Sequence, residues 1–411
     1  MSAHAFDPFE PRLAAEGAAT LIPGPLPAGD YYAFGSDACV EGAILAGCRY
    51  YAGYPITPAS EIMEKAALRL PQVGGRFIQM EDEIASACSL IGASWAGVKA
   101  MTATSGPGFS LMMEALSYAA MTETPLVIVN VQRPGPGQGY ISSSQEDVMQ
   151  ARWGHHGGAA LIALAPSSVQ EMFQLTLEAF NDAEKWRVPV ILLADETVAH
   201  MREKLSVPRP DEVKIFNRRK PQDLGIPPDT FLPYDLHGGL VPPMPAWGDG
   251  YHMNVVGLVH QPDGNVTTYG PDMHLACVSR LHRKIEDHAA EIARMEGRYL
   301  EGCRNVVVAY GTPARSALEA VEELRGRGRR DLGFLRLITL WPFPEEKIRS
   351  LLGPLETVFF PEMNVGYMIH SLREALRDRA SRFIPIPCLG QLHSPDQILT
   401  TIEEATGKGG G

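Results

Sequence analysis

The sequence predicts an α/β protein with parallel sheets covered by helices, arranged as two domains of unequal size. Three observations predict this. Short, nearly all-apolar runs rich in β-formers, such as 125–132 and 188–195, alternate with helical periods, the pattern of strands buried on both faces. The alternation stops near residue 205 and resumes near 301. The length, 411 residues, is too great for one ordinary core. The expected organisation is an N-terminal arm over 1–30, a first domain over 31–205, a connector over 206–300 and a smaller second domain over 301–411.

Residues 1–30 are rich in Pro, Ala and Gly and fit a surface arm. Ser36 can cap a helix over 37–46 that Gly47 ends. A strand over 49–52 leads into the turn Gly53-Tyr54-Pro55-Ile56-Thr57-Pro58, and a helix follows over 59–69. Strands are expected over 76–80 and 98–104, on either side of a helix over 82–96. The turn Ser105-Gly106-Pro107-Gly108 opens a helix to about residue 122, before the strand 125–132. The loop 134–144 carries Gly135, Gly137, Gly139 and two prolines, so it cannot pack a core; such loops are often functional. Ser168, with Glu171 three residues on, has capping-box spacing and starts a helix ending near Trp186. The strand 188–195 closes the first domain. The connector is rich in Pro, Gly, Asp and His and carries one late helix, about 273–301. In the second domain strands are expected over 305–310, 333–338, 357–360 and 383–388, with helices over 313–324, 345–352 and 366–377.

Composition narrows the function. There are 36 Lys+Arg against 48 Asp+Glu, a formal charge of −12, which argues against a nucleic-acid surface. The longest apolar runs are strand-sized, so no membrane span is expected. The first residues read as neither a secretory signal nor a transit peptide, and a cytosolic protein is the expectation. The 6 cysteines, at 39, 48, 88, 277, 303 and 388, are never closer than nine residues and form no Cys-x-x-Cys. A zinc ribbon or a cluster held by this chain alone is not expected; buried free thiols are.

Several strand-to-helix turns hold chemistry-bearing residues, at the place where open α/β sheets bind ligands. In the first, two prolines fix Thr57, whose hydroxyl could grip a carboxylate or phosphate, or could simply cap the helix. Glu81-Asp82-Glu83 suits a helix N-terminus electrostatically, whether or not one carboxylate faces a pocket. The glycines after Ser105 allow close backbone approach, but no dinucleotide or P-loop motif is present. Arg133, ending a strand beside the glycine-rich loop, suits a bidentate grip on a carboxylate or a surface salt bridge. Ser142, Ser143, Ser144 and Gln145 could line a site. His155 and His156 are adjacent, which favours a structural role. Gly248-Asp249-Gly250 has the look of a magnesium-diphosphate signature, but it lies in the connector, and Asn254 and Asn265 follow too closely. It is rejected as a metal site.

These residues together resemble the alpha subunit of 2-oxoacid:ferredoxin oxidoreductases, of the 2-oxoglutarate synthase type. The resemblance rests on Gly53-Tyr-Pro-Ile-Thr-Pro58, Phe77-Ile-Gln-Met-Glu-Asp-Glu-Ile-Ala85 and Ala93-Ser-Trp-Ala-Gly-Val-Lys-Ala-Met-Thr-Ala-Thr-Ser-Gly-Pro-Gly108. It continues through Thr122-Glu-Thr-Pro125, Val129-Asn-Val-Gln-Arg133 and Asp147-Val-Met-Gln-Ala-Arg-Trp153. It implies a thiamine-diphosphate pyrimidine-binding domain followed by a transketolase-C-terminal-like domain. Glu83, with Glu81 as the fallback, would hydrogen-bond N1′ of the aminopyrimidine and favour the imino tautomer that takes the thiazolium proton. Pro55, Ile56 and Ser105 would lie against the cofactor, and Thr57 and Arg133 would bind the carboxylate and 2-oxo group of the substrate.

The resemblance further implies a beta subunit that carries the diphosphate site, its Mg2+ and a [4Fe-4S] cluster. It leaves gamma and delta subunits open. The implied reaction is oxidative decarboxylation of a 2-oxoacid to acyl-CoA and CO2, with electrons passing to ferredoxin and coenzyme A taking the acyl group. 2-Oxoglutarate is the first choice. Branched-chain, aryl and pyruvate-type 2-oxoacids stay open, as do a non-redox thiamine-dependent transferase or decarboxylase and a non-enzymatic α/β scaffold. Two segments depart from the familiar pattern. Pro134-Gly-Pro-Gly-Gln-Gly-Tyr140 stands where the family often reads Ser-Gly-Pro-Ser-Thr-Gly, which bears on substrate choice. Glu362-Met-Asn-Val-Gly-Tyr367 replaces a more usual Gly-Gln and bears on domain packing.

Overall fold

A computed structural model describes residues 24–237, 239–266, 270–379 and 381–407. Most of the expected arm, residues 1–23, and the tail 408–411 lie outside the described residues. The first sheet has seven strands in the order Thr339–Trp341, Ile162–Leu164, Pro189–Asp195, Leu126–Gln132, Lys99–Thr104, Cys48–Gly53, Arg76–Gln79. Every pairing in it is parallel except that of Thr339–Trp341 with Ile162–Leu164. Lys99–Thr104, Leu126–Gln132 and Pro189–Asp195 are buried along their whole length, as their apolar sequences require.

Helix Gly35–Leu45 packs against both Ser60–Arg69 and Val169–Trp186. Glu83–Trp95 packs instead with Gly106–Leu111 and Met113–Met121. The crossing of the first and last of the former group depends on Gly42: a Cβ there would lie under 3.0 Å from the backbone carbonyl of Phe173. The second sheet runs Arg382–Pro387, Thr357–Glu362, Asn305–Ala309, Leu332–Leu337, Met295–Arg298, parallel but for the last strand. A separate ribbon pairs Gly29–Phe34 with Arg202–Val207 antiparallel.

Several local expectations change in the fold. Ser36 does not cap its helix. The helix starts at Gly35, whose N–H donates to Met201 O at 3.2 Å, and Ser36 Oγ donates to Ala199 O at 2.9 Å. At Ser168 the cap forms, with its side chain accepting from Glu171 N. The reciprocal half does not: Glu171 Oε2 accepts from Ser167 N and pairs with Arg336 of the second sheet. The expected single helix before residue 122 is two, broken at Met112. The connector helix is Pro271–Glu286, followed by the short Ala289–Ile292 and then a strand, because Met295–Arg298 finds the free edge of the second sheet.

The two sheets are tied together at several points. Thr339–Trp341 leaves the second domain to extend the first sheet, and Trp341 Nε1 donates to Val148 O at 2.8 Å. The buried Gln145 bridges the junction, giving Nε2–H to Tyr310 O and receiving Met363 N–H at Oε1, both at 3.1 Å. Glu362 accepts from Tyr310 Oη and from the N–H groups of Met368 and Ile369. The segment 362–367 is therefore domain packing. Ser142 and Ser143 also turn to packing, to Gly390 O at 2.8 Å and Glu196 Oε2 at 2.9 Å.

Candidate active site

The turns at the carboxyl ends of the first sheet come together at one place. Gly53–Pro58 leaves the strand Cys48–Gly53 with Pro55 and Thr57 exposed and Ile56 half-buried. The next helix starts at Ser60 with no side-chain cap, so Thr57 is not its cap. Arg133 Nη1 donates to Thr57 O at 2.8 Å and joins the two turns. Behind the turn, His200 stands 3.1 Å from both Glu61 and Glu196. The hydrogen bond His200 donates to Glu196 and the charge of Glu61 raise its pKa from 6.5 to about 9. A raised histidine stabilises the fold fully below its unfolded value and loses that contribution as pH rises through the folded one. In His200→Gln, the loss of melting temperature relative to wild type should therefore be largest near about pH 6 and vanish by about pH 10.

The acidic turn divides its roles. Asp82 caps the helix Glu83–Trp95, its Oδ1 accepting from Ala85 N at 2.7 Å. Glu81 is exposed, whereas Glu83, the first residue of the helix, is buried. Its carboxylate meets the glycine turn of the neighbouring strand. A Cβ on Gly108 would lie under 3.0 Å from both Glu83 Oε1 and Thr104 Oγ1. Burial holds the Glu83 carboxyl above its ordinary range, helped by the Asp82 charge and opposed by its own backbone N–H and Arg133.

Around this carboxyl, buried polar atoms lack protein partners. Thr104 Oγ1, Ser105 Oγ and Arg133 Nε are all without one. Such orphans are costly in a closed interior and call for a ligand or ordered water. Ser105 also heads the helix Gly106–Leu111. Beside it opens a cleft of about 640 Å³, lined by Gly106, Arg133, the glycine loop, Glu146, Asp147 and Tyr367. Asp147 accepts from Asn130 Nδ2 at 2.9 Å, and burial pushes its carboxyl up to about 6. Asn130 and Asp147 stood in the quoted sequence without an assigned role; an Asn inside an apolar strand was the available signal. Asp249 takes no part, since it accepts from Ala246 N and Lys220 Nζ, both at 3.0 Å, and so holds a turn of the connector.

Residues 41–277 match the family described as pyruvate flavodoxin/ferredoxin oxidoreductase, thiamine diphosphate-binding; residues 304–398 match the pyruvate:ferredoxin oxidoreductase core domain II. The chain belongs to this oxidoreductase family. It is 48% identical over 374 residues to the 2-oxoglutarate synthase subunit KorA of Methanothermobacter thermautotrophicus, covering 91% of this chain and 98% of that one. It is 38% identical over 346 residues to the ketoisovalerate oxidoreductase subunit VorB of Methanothermobacter marburgensis, covering 83% and 88%. Its structure matches the 2-oxoglutarate:ferredoxin oxidoreductase from Magnetococcus marinus, bound there to 2-oxoglutarate, coenzyme A and succinyl-CoA, with a TM-score of 0.85 and 32% identity. That match covers 91% of this chain, which spans 65% of the length of the other. A split-gene transketolase, 13% identical with a TM-score of 0.50, shares the fold. The resemblance read from the motifs, the α/β class and the thiamine-binding domain are thereby borne out.

Proposed function

We propose that this family member is the alpha subunit of a 2-oxoglutarate:ferredoxin oxidoreductase, forming succinyl-CoA and CO2, and that Glu83, Thr57 and Arg133 carry its share of the reaction. The observation that bears most weight is the buried Glu83 carboxyl held against Gly108 among unpartnered polar atoms. A cofactor ring edge with nitrogen atoms fits such a place. Thiamine diphosphate supplies a nucleophilic carbon for the 2-oxo group and accepts the electron pair that CO2 leaves behind. Glu83, whose carboxyl burial holds above its ordinary range, would hydrogen-bond N1′ of the aminopyrimidine. Gly108 leaves the space, and Pro55, Ile56 and Ser105 complete the wall. Arg133, with Nε unspent, and Thr57 hold the substrate carboxylate and oxo group.

Gly108→Ala should place a methyl group against Glu83 and Thr104. Thiamine diphosphate affinity, measured by calorimetric titration of the complex, should weaken by about 1–3 kcal/mol. Unchanged affinity would remove this glycine from the site.

A beta subunit is proposed to supply the diphosphate and Mg2+ site and a [4Fe-4S] cluster, with ferredoxin as acceptor. Among the described residues no group of three or more His, Cys, Asp or Glu could hold a metal ion, and burial pushes the Cys39 and Cys48 thiols up to about 12. A cytoplasmic location belongs to the same proposal; among the described residues no helix is long and apolar enough to cross a membrane. The test is reconstitution with the co-purifying chain, followed by ferredoxin reduction with coenzyme A and a panel of 2-oxoacids. Succinyl-CoA formation with 2-oxoglutarate preferred is the expected result. Preference for a branched-chain, aryl or pyruvate-type acid would overturn the substrate, and decarboxylation without iron in the complex would overturn the redox reaction.

A further inference from the structure

The cleft beside Arg133 holds a polar side chain that the reaction above does not use. Gln138 lines it and is exposed. Arg133 Nη2 donates to Gln138 Oε1 at 3.2 Å. A guanidinium offers donors only, so the amide oxygen must be the atom that faces it. The Gln138 amide nitrogen, with two N–H donors, is then left on the other side. Two backbone hydrogen bonds hold the loop on which Gln138 sits. Gly139 N donates to Pro136 O at 3.2 Å and Tyr140 N to Pro134 O at 3.1 Å. Gly139 has φ 62°, and a Cβ there would lie under 3.0 Å from Pro134 O, so the turn requires glycine.

We propose that Gln138 reads the remote end of the substrate, its amide N–H groups donating to the distal carboxylate of a 2-oxodicarboxylic acid whose reacting end lies at Arg133 and Thr57. This rests on the function proposed above and names the residue that selects the dicarboxylate. Three other polar side chains of the cleft are engaged elsewhere, and Tyr367 also lines it. Glu146 Oε2 accepts from Gly135 N at 2.6 Å, Asp147 Oδ2 from Asn130 at 2.9 Å, and Gln150 Nε2 donates to Ser110 Oγ at 2.8 Å. The two carboxylates accept and do not attract a second negative charge, so a distal carboxylate is met by the donors of Gln138, with the Tyr367 hydroxyl as the other donor on the cleft wall.

The test compares 2-oxoglutarate with 2-oxobutyrate, which lacks the distal carboxylate, on the reconstituted complex. Gln138→Leu keeps the volume and removes the donors. Gln138→Glu keeps an oxygen for Arg133 and puts a charge where the donors were. The ratio of kcat/KM for 2-oxoglutarate over 2-oxobutyrate should fall roughly tenfold or more in Gln138→Leu, through KM, and further in Gln138→Glu. Calorimetric titration of each acid onto the complex should show the same split. Equal losses for both acids, or none for either, would overturn the inference and leave the function standing. A wild-type complex inert toward every 2-oxoacid would overturn both.

Discussion

Glu83→Gln should lower turnover of the reconstituted complex by roughly 10²–10⁴-fold while leaving its melting temperature unchanged or raised. The two halves of this result have one cause. Burial holds the Glu83 carboxyl above its ordinary range, so the fold disfavours its charged form. A carboxyl raised in this way gives up stability as pH rises through its folded pKa, and a neutral amide of the same shape has no such charge to bury. The amide also cannot exchange a proton, which is the task assigned to the carboxyl. Glu81→Gln is the control: Glu81 is exposed two residues away and should leave turnover near normal. Near-normal turnover in Glu83→Gln would refute the assignment, and a lost melting transition would show Glu83 to be structural.

The largest effect on stability is expected at Glu123. Its carboxylate is fully buried and accepts from Arg280 Nη2 at 2.7 Å, Arg280 Nη1 at 3.0 Å and Lys284 Nζ at 2.8 Å. Lys284 Nζ also donates to Arg187 O at 2.9 Å, and Arg187 Nε donates back to Glu123 O at 2.9 Å. Burial pushes the Glu123 carboxyl up, but Lys284 and Arg280 outweigh it and hold the group well below its ordinary range. Glu123→Ala leaves Lys284 and Arg187 buried without their counter-charge. It should cost about 3–5 kcal/mol in urea unfolding. Adding Lys284→Met should recover part of that loss, because the uncompensated charge goes too. The pH dependence follows from the lowered pKa. The wild-type advantage over Glu123→Ala is full above the unfolded value, 4.5, and declines as pH falls below it. A loss under about 1 kcal/mol would show that the cluster is not what fastens the connector helix.

Glu123 also shows where reading along the chain stops. It stood in a quoted motif, Thr122-Glu-Thr-Pro125, with no role, because its partners lie 157 and 161 residues away. By contrast, the turn at Thr57, the acidic turn and the turn at Ser105 could all be placed at strand ends from periodicity. A strand–turn–helix signal is local, and an α/β sheet gathers its carboxyl-end turns by construction. Which carboxylate of the acidic turn faces inward was not local: Asp82 caps, Glu81 meets solvent and Glu83 meets Gly108, and the position of the neighbouring strand sets this.

The apolar strands and the helical periods between them were therefore written in the chain, because burial on two faces and the helical repeat each impose a spacing that residues display directly. The α/β class followed from that spacing, whereas the roles expected of Thr57, Glu83, Ser105 and Arg133 came from the family motifs. The strand Thr339–Trp341 crossing into the first sheet, the ribbon of Gly29–Phe34 with Arg202–Val207, and the strand Met295–Arg298 had no such mark. Each is short and forms because a sheet edge or a distant partner stands ready, and edge pairing depends on where the rest of the chain already lies. The same holds at the site. That Arg133 would be spanned between Thr57 O and Gln138 Oε1 depends on two loops meeting, which is a property of the packed molecule.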